Sequence, residues 1–268
     1  LVVFYNGAYY GIFDMRERLN EHFVETNYGI DSKQVNMVKH IETTVTASGG
    51  SADSYLEMLD FIDKSDFGTD AAAYEKLQTM MDVGNYADYM AAEIYIHNGD
   101  WPDNNVRAWN TADQPFKFMI FDVDHGFGWD WAVSGFQYMN HNMFNWIRQG
   151  GTNLCFTSHC FAQIYLKLSR NVNFKRLFIN HSAVMLDYYL SYERVVEATD
   201  RMTATIPYAE MDRDMKMYPR NEHSFDKTGA TLKSYASTRT AAVRREYRLE
   251  FGLGDDISVT IGSTGNGN

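Results

Sequence analysis

Cysteine is nearly absent from this chain: Cys155 and Cys160 are the only two, and they flank Phe-Thr-Ser-His. A tetrahedral zinc site wants four ligands, and Cys155, His159 and Cys160 supply three. We read the two thiols as small buried hydrophobes. A disulfide closing a short loop is the alternative and would fit an exported protein. No apolar run approaches the roughly twenty residues that a membrane-crossing helix needs, and no signal peptide opens the chain. Basic residues are in deficit, 24 Lys and Arg against 35 Asp and Glu, for a net charge of −11. That balance argues against a general nucleic-acid binder and against docking on anionic membrane. Internal repeats, low-complexity segments and Pro/Gly linkers are missing too, so no clean domain boundary shows.

What remains is enough for a large core. At 268 residues and 45% hydrophobic, the chain can fold as one large domain or two lobes. Aromatics make up 15%, enough to wall a groove with rings, though most belong in the core. Only Gly262 to Asn268 reads as a frayed tail.

The densest chemistry lies between Glu93 and Asp130. Asp100 is followed five residues later by Asn105, within Asp-Trp-Pro-Asp-Asn-Asn. Pro102 forbids a continuing helix, so these polar groups sit on a loop. Val106 to Trp109 predicts a short strand, Asn110 to Pro115 a turn, and Phe116 to Phe121 a second strand. Asp122-Val123-Asp124-His125-Gly126-Phe127-Gly128 then closes the hairpin. On an extended strand residues two apart share a face, so Asp122 and Asp124 are expected to point to one place. Two carboxylates with a nearby amide make a hard oxygen set, suited to magnesium carrying a phosphate. The order of acid, amide, hairpin and acid follows protein-kinase logic, in which a loop Asp takes the substrate hydroxyl proton. The plainer account is that Asp, Asn, Gly and Pro cluster in turns because turns need them.

Around that centre the pattern is mixed. Residues 1–14 predict a hairpin turning at Asn6-Gly7. Helices are expected at 16–23, 51–67, 71–81 (with Asp70 as N-cap) and 85–97, and a short strand at Val35 to Lys39. Thr43 to Ser51 reads as a polar loop. The helix over 85–97 carries Tyr86, Tyr89, Met90, Ile94 and His97 on one stripe and delivers the chain to Asp100. Trp129 to Asn145 suits an ordered loop over a cleft. Helices follow at 161–168, 174–189, 192–206 and 232–251, then a closing strand at 256–261. Lys39 is a candidate near phosphate, though a lone lysine is usually solvated. Lys233, Arg239, Arg244, Arg245 and Arg248 form a basic stripe, read as a solvated helix end.

At this point the sequence resembles a family, the spore coat protein H (CotH) kinase-like proteins. The resemblance rests on Tyr5-Asn6-Gly7, Tyr9-Tyr10-Gly11-Ile12-Phe13 and Arg16-Glu17. It continues through Asp100-Trp101-Pro102-Asp103-Asn104-Asn105 and Phe121-Asp122-Val123-Asp124, then weakens towards Phe251-Gly252-Leu253. It implies an α+β, divergent protein-kinase-like fold: a small, truncated β-containing amino-terminal part (1–45) and a mainly helical lobe (46–261) with the catalytic hairpin at 100–128, all one domain. It implies ATP and Mg2+, an extracellular or cell-surface location, and a protein substrate with acceptor Ser, Thr or Tyr hydroxyls. Carried over by position, Asp100 is the catalytic base, and Asn105 and Asp122 are metal ligands with Asp124 a further candidate. Glu17 stands where a glutamate orients a phosphate-binding lysine, and Phe13 and Phe118 are candidates to grip an adenine ring from two sides. The departures are a missing glycine-rich phosphate loop and a missing Val-Ala-Ile-Lys strand. The chain opens mid-strand at Leu1, so the amino-terminal part is either truncated or lost. The rival readings are a non-catalytic surface or scaffold relative, a metal-dependent hydrolase, and a carbohydrate-binding module using exposed tryptophans.

Overall fold

The computed structural model describes residues 1–127, 142–219, 225–255 and 257. The expected covering loop at 129–145 lies outside these up to residue 141, as does the closing strand at 256–261 apart from Ile257.

The amino-terminal hairpin follows its turn chemistry. β1 (Val2–Tyr5) and β2 (Ala8–Ile12) pair antiparallel around Asn6 and Gly7, at φ 49° and 80°. Both residue types tolerate the left-handed region that a primed two-residue turn demands. The helix expected at 16–23 begins later. Asn20 accepts a hydrogen bond from the Phe23 amide, and α1 runs Glu21–Tyr28. The capping oxygen sets the start, not the Leu19/Phe23 spacing.

A second sheet carries the candidate chemistry. β3 (Asn36–Ile41) pairs antiparallel with β4 (Thr44–Gly49), so the polar loop expected at 43–51 is mostly strand. β4 lies at an edge with most of its side chains in water, which is why its sequence lacks a strand's hydrophobic pattern. On the other side β3 pairs with β5 (Val106–Thr111), which pairs in turn with β6 (Gln114–Met119). The strand order is β4-β3-β5-β6. Pro115 falls inside β6 rather than in the turn, tolerated because β6 is the opposite edge.

Helices wrap this sheet: α2 (Asp53–Lys64), α3 (Ala71–Met80), α4 (Val83–Ile96), α5 (Met143–Gln149), α6 (Ala162–Leu168), α7 (Val172–Val184), α8 (Tyr192–Ala204), α9 (Tyr208–Met217) and α10 (Phe225–Phe251). Asp70 caps α3 as expected, and Asp82 caps α4 two residues earlier than the spacing predicts. α9 was not foreseen; its composition is polar and none of its residues is buried. α4 is buried on nearly every face, the mark of a central helix. It packs against α7, β6 and α10. Phe161 sits at the hub of an aromatic core, with ring centroids 5.5–6.1 Å from those of Tyr86, Tyr89, Trp101 and Phe118. The amino-terminal hairpin is tied to α9 instead: Tyr9 and the Ile12 amide donate to Asp214, and Tyr218 donates to the Tyr10 carbonyl.

Three expectations are corrected here. Cys155 and Cys160 form a disulfide; the chain turns back between them, where the Cys160 amide donates to the Thr157 carbonyl. Trp101 and Trp109 are fully buried and offer no sugar platform, while Trp129 and Trp131 lie outside the described residues. Arg239 is fully buried, while Lys233, Arg244 and Arg248 each pair with an acid, so the basic stripe is not a free solvated face.

Candidate active site

The site is built outward from the end of α4. His97 closes the helix in the left-handed conformation at φ 59°, its amide bonded to the Glu93 carbonyl. The last carbonyls of α4, at Ile94 and Tyr95, would be bare in a buried helix end. Arg239 of α10 donates to both, and the Tyr235 hydroxyl also donates to Tyr95. Arg239 is balanced by the buried Glu246, 2.8 Å away, whose other oxygen accepts from the Met143 amide at the start of α5. One buried ion pair therefore fixes both the end of α4 and the start of α5.

From there the chain turns into the first acidic loop. Glu93 is fully buried, and burial pushes its carboxyl up to about 8. It accepts from the Asn98 amide at 3.0 Å, and Asn98 accepts from the Asp100 backbone N–H at 3.2 Å. Asp100 receives two further hydrogen bonds on one carboxylate oxygen, from Asn104 and from Asn105, both at 2.9 Å. Its Oδ1 accepts nothing from the described residues and Asp100 is only half-buried, so one oxygen remains open to a proton donor. The Asn105 amide nitrogen also donates to the Asp122 carbonyl at 3.2 Å. Asn105 spans the two acidic loops.

Backbone bonds lock those loops together. The Gly99 amide donates to the His125 carbonyl at 3.0 Å, and the Phe127 amide to the Ile96 carbonyl. Gly126 is required at this crossing, since a Cβ there would lie 2.3 Å from the Ile96 side chain. Behind the first loop, Asp103 accepts from the amides of Thr152 and Asn153 at 3.1 and 2.7 Å. Burial raises its carboxyl against those donors. The disulfide loop that follows is pinned in turn by His40. Its Nε2–H donates to the carbonyls of Glu42 and His159, and burial lowers its pKa to about 4.

Asp122 and Asp124 are both exposed, and neither carboxylate makes a hydrogen bond or ion pair with a described residue. The strand argument used to pair them fails. β6 ends at Met119 and Asp122 adopts φ 52°, so the two stand on a turn rather than on one strand face. Among the described residues no three His, Cys, Asp or Glu side chains converge as a ready-made metal centre. The donor set nonetheless fits magnesium, which is usually held by one or two carboxylates plus substrate phosphates. Asn105 uses its nitrogen for both structural bonds, leaving its amide oxygen available, and the Asp122 carboxylate is open.

The other candidates do not gather here. Phe118 is buried in the aromatic core and has no open face for a base. Phe13 is exposed and stacks on Tyr10 with centroids 5.5 Å apart, so the two do not form a clamp. Glu17 is exposed and accepts from Asn27 of α1 rather than orienting a lysine. Sequence reasoning passed over Glu93, Asn98 and Asn104. Only the Asn104-Asn105 pairing, two amides directly after the acid, was a visible signal.

No curated protein and no solved structure matches the chain. A family model described as CotH kinase protein matches residues 1–243, which takes in both acidic loops and the whole four-stranded sheet. With nine-tenths of its length covered by that match, the chain belongs to the CotH kinase protein family.

Proposed function

We propose that this chain is an atypical protein kinase-like phosphotransferase, moving the γ-phosphate of ATP to a Ser, Thr or Tyr hydroxyl of a protein. The observation that carries the reading is the Asn105 amide joining the Asp100 carboxylate to Asp122 across two loops. Acid, amide and second acid, separated in sequence by a hairpin, stand side by side. In this reading the open oxygen of Asp100 orients the acceptor hydroxyl and takes its proton, while the amides of Asn104 and Asn105 hold the carboxylate in place. Asn105 and Asp122 would hold magnesium, with Asp124 in reserve; when bound, the ion supplies neutralisation of phosphate charge. Such transfer asks little covalent chemistry of the protein, and positioning and electrostatics carry most of the barrier reduction. A divergent kinase-like fold agrees with the hairpin between the two acidic loops. The disulfide supports an extracellular or cell-surface setting, where such bonds persist.

The test is a melting series with magnesium alone, ATP alone and both, followed by transfer of labelled γ-phosphate to a Ser- and Thr-rich acceptor protein. A stabilisation needing both ligands, lost in Asp122→Ala together with transfer, is the expected result. Full transfer by Asp122→Ala would overturn the assignment. Phosphate released as fast without acceptor would point to a hydrolase. Failure to bind ATP at all would favour the non-catalytic scaffold relative.

A further inference from the structure

Beside the acidic loops lies a pair of cations that the chemistry above does not use. Lys39 on β3 and Arg107 on β5 are direct antiparallel partners. Side chains of such partners leave the same face of the sheet with Cβ atoms about 5 Å apart. The sequence offered Lys39 alone; the pairing exists only because β5 docks on β3. Like charges placed directly opposite destabilise a sheet. Acids outnumber bases here, 35 to 24. Yet neither the Lys39 nor the Arg107 side chain makes an ion pair or hydrogen bond with a described residue, and the Arg107 Nε is buried with no partner. Both side chains are half-buried.

Their position gives the pair a purpose. Arg107 stands two residues after Asn105, and its guanidinium lies over the Phe121 ring with Cζ 4.5 Å from the centroid. Phe121 immediately precedes Asp122, whose charge acts on Arg107. Arg16, on the link between β2 and α1, also lies within electrostatic reach of Asp122 and Asp124. The opposite face of this sheet, with Val38, Ala108 and Phe118, is closed by the main core. The Lys39–Arg107 row lies on the other face, one step from Asn105, beyond the small cluster formed by Met37, Trp109 and Met119.

We infer that Lys39 and Arg107 form a binding site for a polyphosphate chain, the triphosphate of a nucleotide or free tripolyphosphate. Two half-desolvated cations that make no ion pair with a described residue, side by side and next to exposed carboxylates, match a ligand that carries several negative charges and brings a divalent cation with it. They would do the work of the missing glycine-rich loop and strand lysine. The stacking of Arg107 on Phe121 fixes its guanidinium plane and reduces the entropy lost on binding. This inference rests on the phosphotransfer reading for the location of the cleft, but the ligand chemistry follows from the pair itself.

Calorimetric titration tests it, with the magnesium complexes of ATP and of tripolyphosphate and with adenosine as the phosphate-free probe. The proteins are the wild type, Lys39→Gln, Arg107→Gln and the charge-keeping Arg107→Lys. The expected result is binding of both magnesium complexes by the wild type, weakened tenfold or more in each glutamine variant. Arg107→Lys should recover part of the loss, with adenosine unaffected throughout. Equal binding by wild type and glutamine variants of unchanged melting temperature would overturn the inference and leave the phosphotransfer reading standing. Tripolyphosphate bound through Arg107 without ATP binding or transfer would keep this site and overturn the kinase reading. No binding of either magnesium complex by the wild type would overturn the inference, whatever the acidic loops do.

Discussion

Two sets of carboxylates lie close together in this fold and live in opposite environments. Glu93 and Glu246 are sealed inside the helical core, each fixed by a named partner, Asn98 and Arg239. Asp100, Asp122 and Asp124 stand at the surface of two loops, with oxygens that no described residue occupies. The buried set holds the frame: Arg239 and Glu246 tie α10 to the ends of α4 and α5, and Glu93 reaches Asp100 through Asn98. The open set is left free to act on something else. Burial, not residue type, separates structural acids from candidate chemical ones.

That contrast is broken most severely at its open side. Asp100→Asn keeps the shape and removes the base, so phosphate transfer should fall by roughly 10²–10⁴-fold. Stability should fall by no more than about 1 kcal/mol, since the Asn oxygen can keep accepting from Asn104 and Asn105 at this half-buried position. Kinetics and urea unfolding on the same preparation check both halves.

On the buried side the order reverses. Arg239→Ala leaves Glu246 without its counterion, strips the Ile94 carbonyl of its donor and leaves Tyr95 with the Tyr235 hydroxyl alone. The expected cost is about 3–5 kcal/mol of stability, the usual penalty for halving a buried pair. Pairing it with Glu246→Gln should recover part of that loss, and a double-mutant cycle in urea measures how much.

Glu93 sharpens the comparison through pH. Its folded pKa, about 8, lies above the ordinary 4.5, so the folded state holds the proton more tightly than the unfolded chain. The stability this confers is complete below pH 4.5 and is lost as pH rises through 8. Glu93→Gln cannot ionise, so wild type should lose about 3–5 kcal/mol relative to it between pH 4.5 and 9. Parallel unfolding curves across that range would show that Glu93 is not held neutral.

The smallest effect concerns the loop behind Asp103. Replacing Cys155 and Cys160 by Ser opens a ring closed over a sequence separation of 5, worth about 2 kcal/mol from chain entropy. Thermal melts with and without reductant on the wild type, beside the double variant, read it directly.

The residues of the candidate site stand out in the sequence itself. Asp100, Asn105 and Asp122 declared themselves because Pro102 forced a loop and the hairpin that follows is strongly β-forming. Helix ends were legible wherever an Asp or Asn cap stood, as at Asp70, and misplaced where the cap was overlooked, as at Asn20 and Asp82. β4 was missed because an edge strand held by ladder hydrogen bonds needs no hydrophobic alternation. Arg239 was misread because local spacing marks a surface stripe and cannot show which helix lies over it. Phe13 and Phe118 were expected to flank one ring, yet Phe13 follows β2 beyond the two-stranded sheet and Phe118 sits within β6 of the other.

By itself the sequence determined much of the local chemistry: which residues turn, where the hydrophobic strands of the hairpin lie, and which acids are kept near an amide. Those properties depend on φ/ψ preferences and hydrogen-bonding groups a few residues apart. Tertiary structure decided which charges are buried, that Lys39 faces Arg107, that Arg239 closes α4, and that Asn105 reaches Asp122. Each of these joins segments from 17 to 145 residues apart. Such contacts follow from how elements dock to bury apolar surface, and no local pattern records that docking.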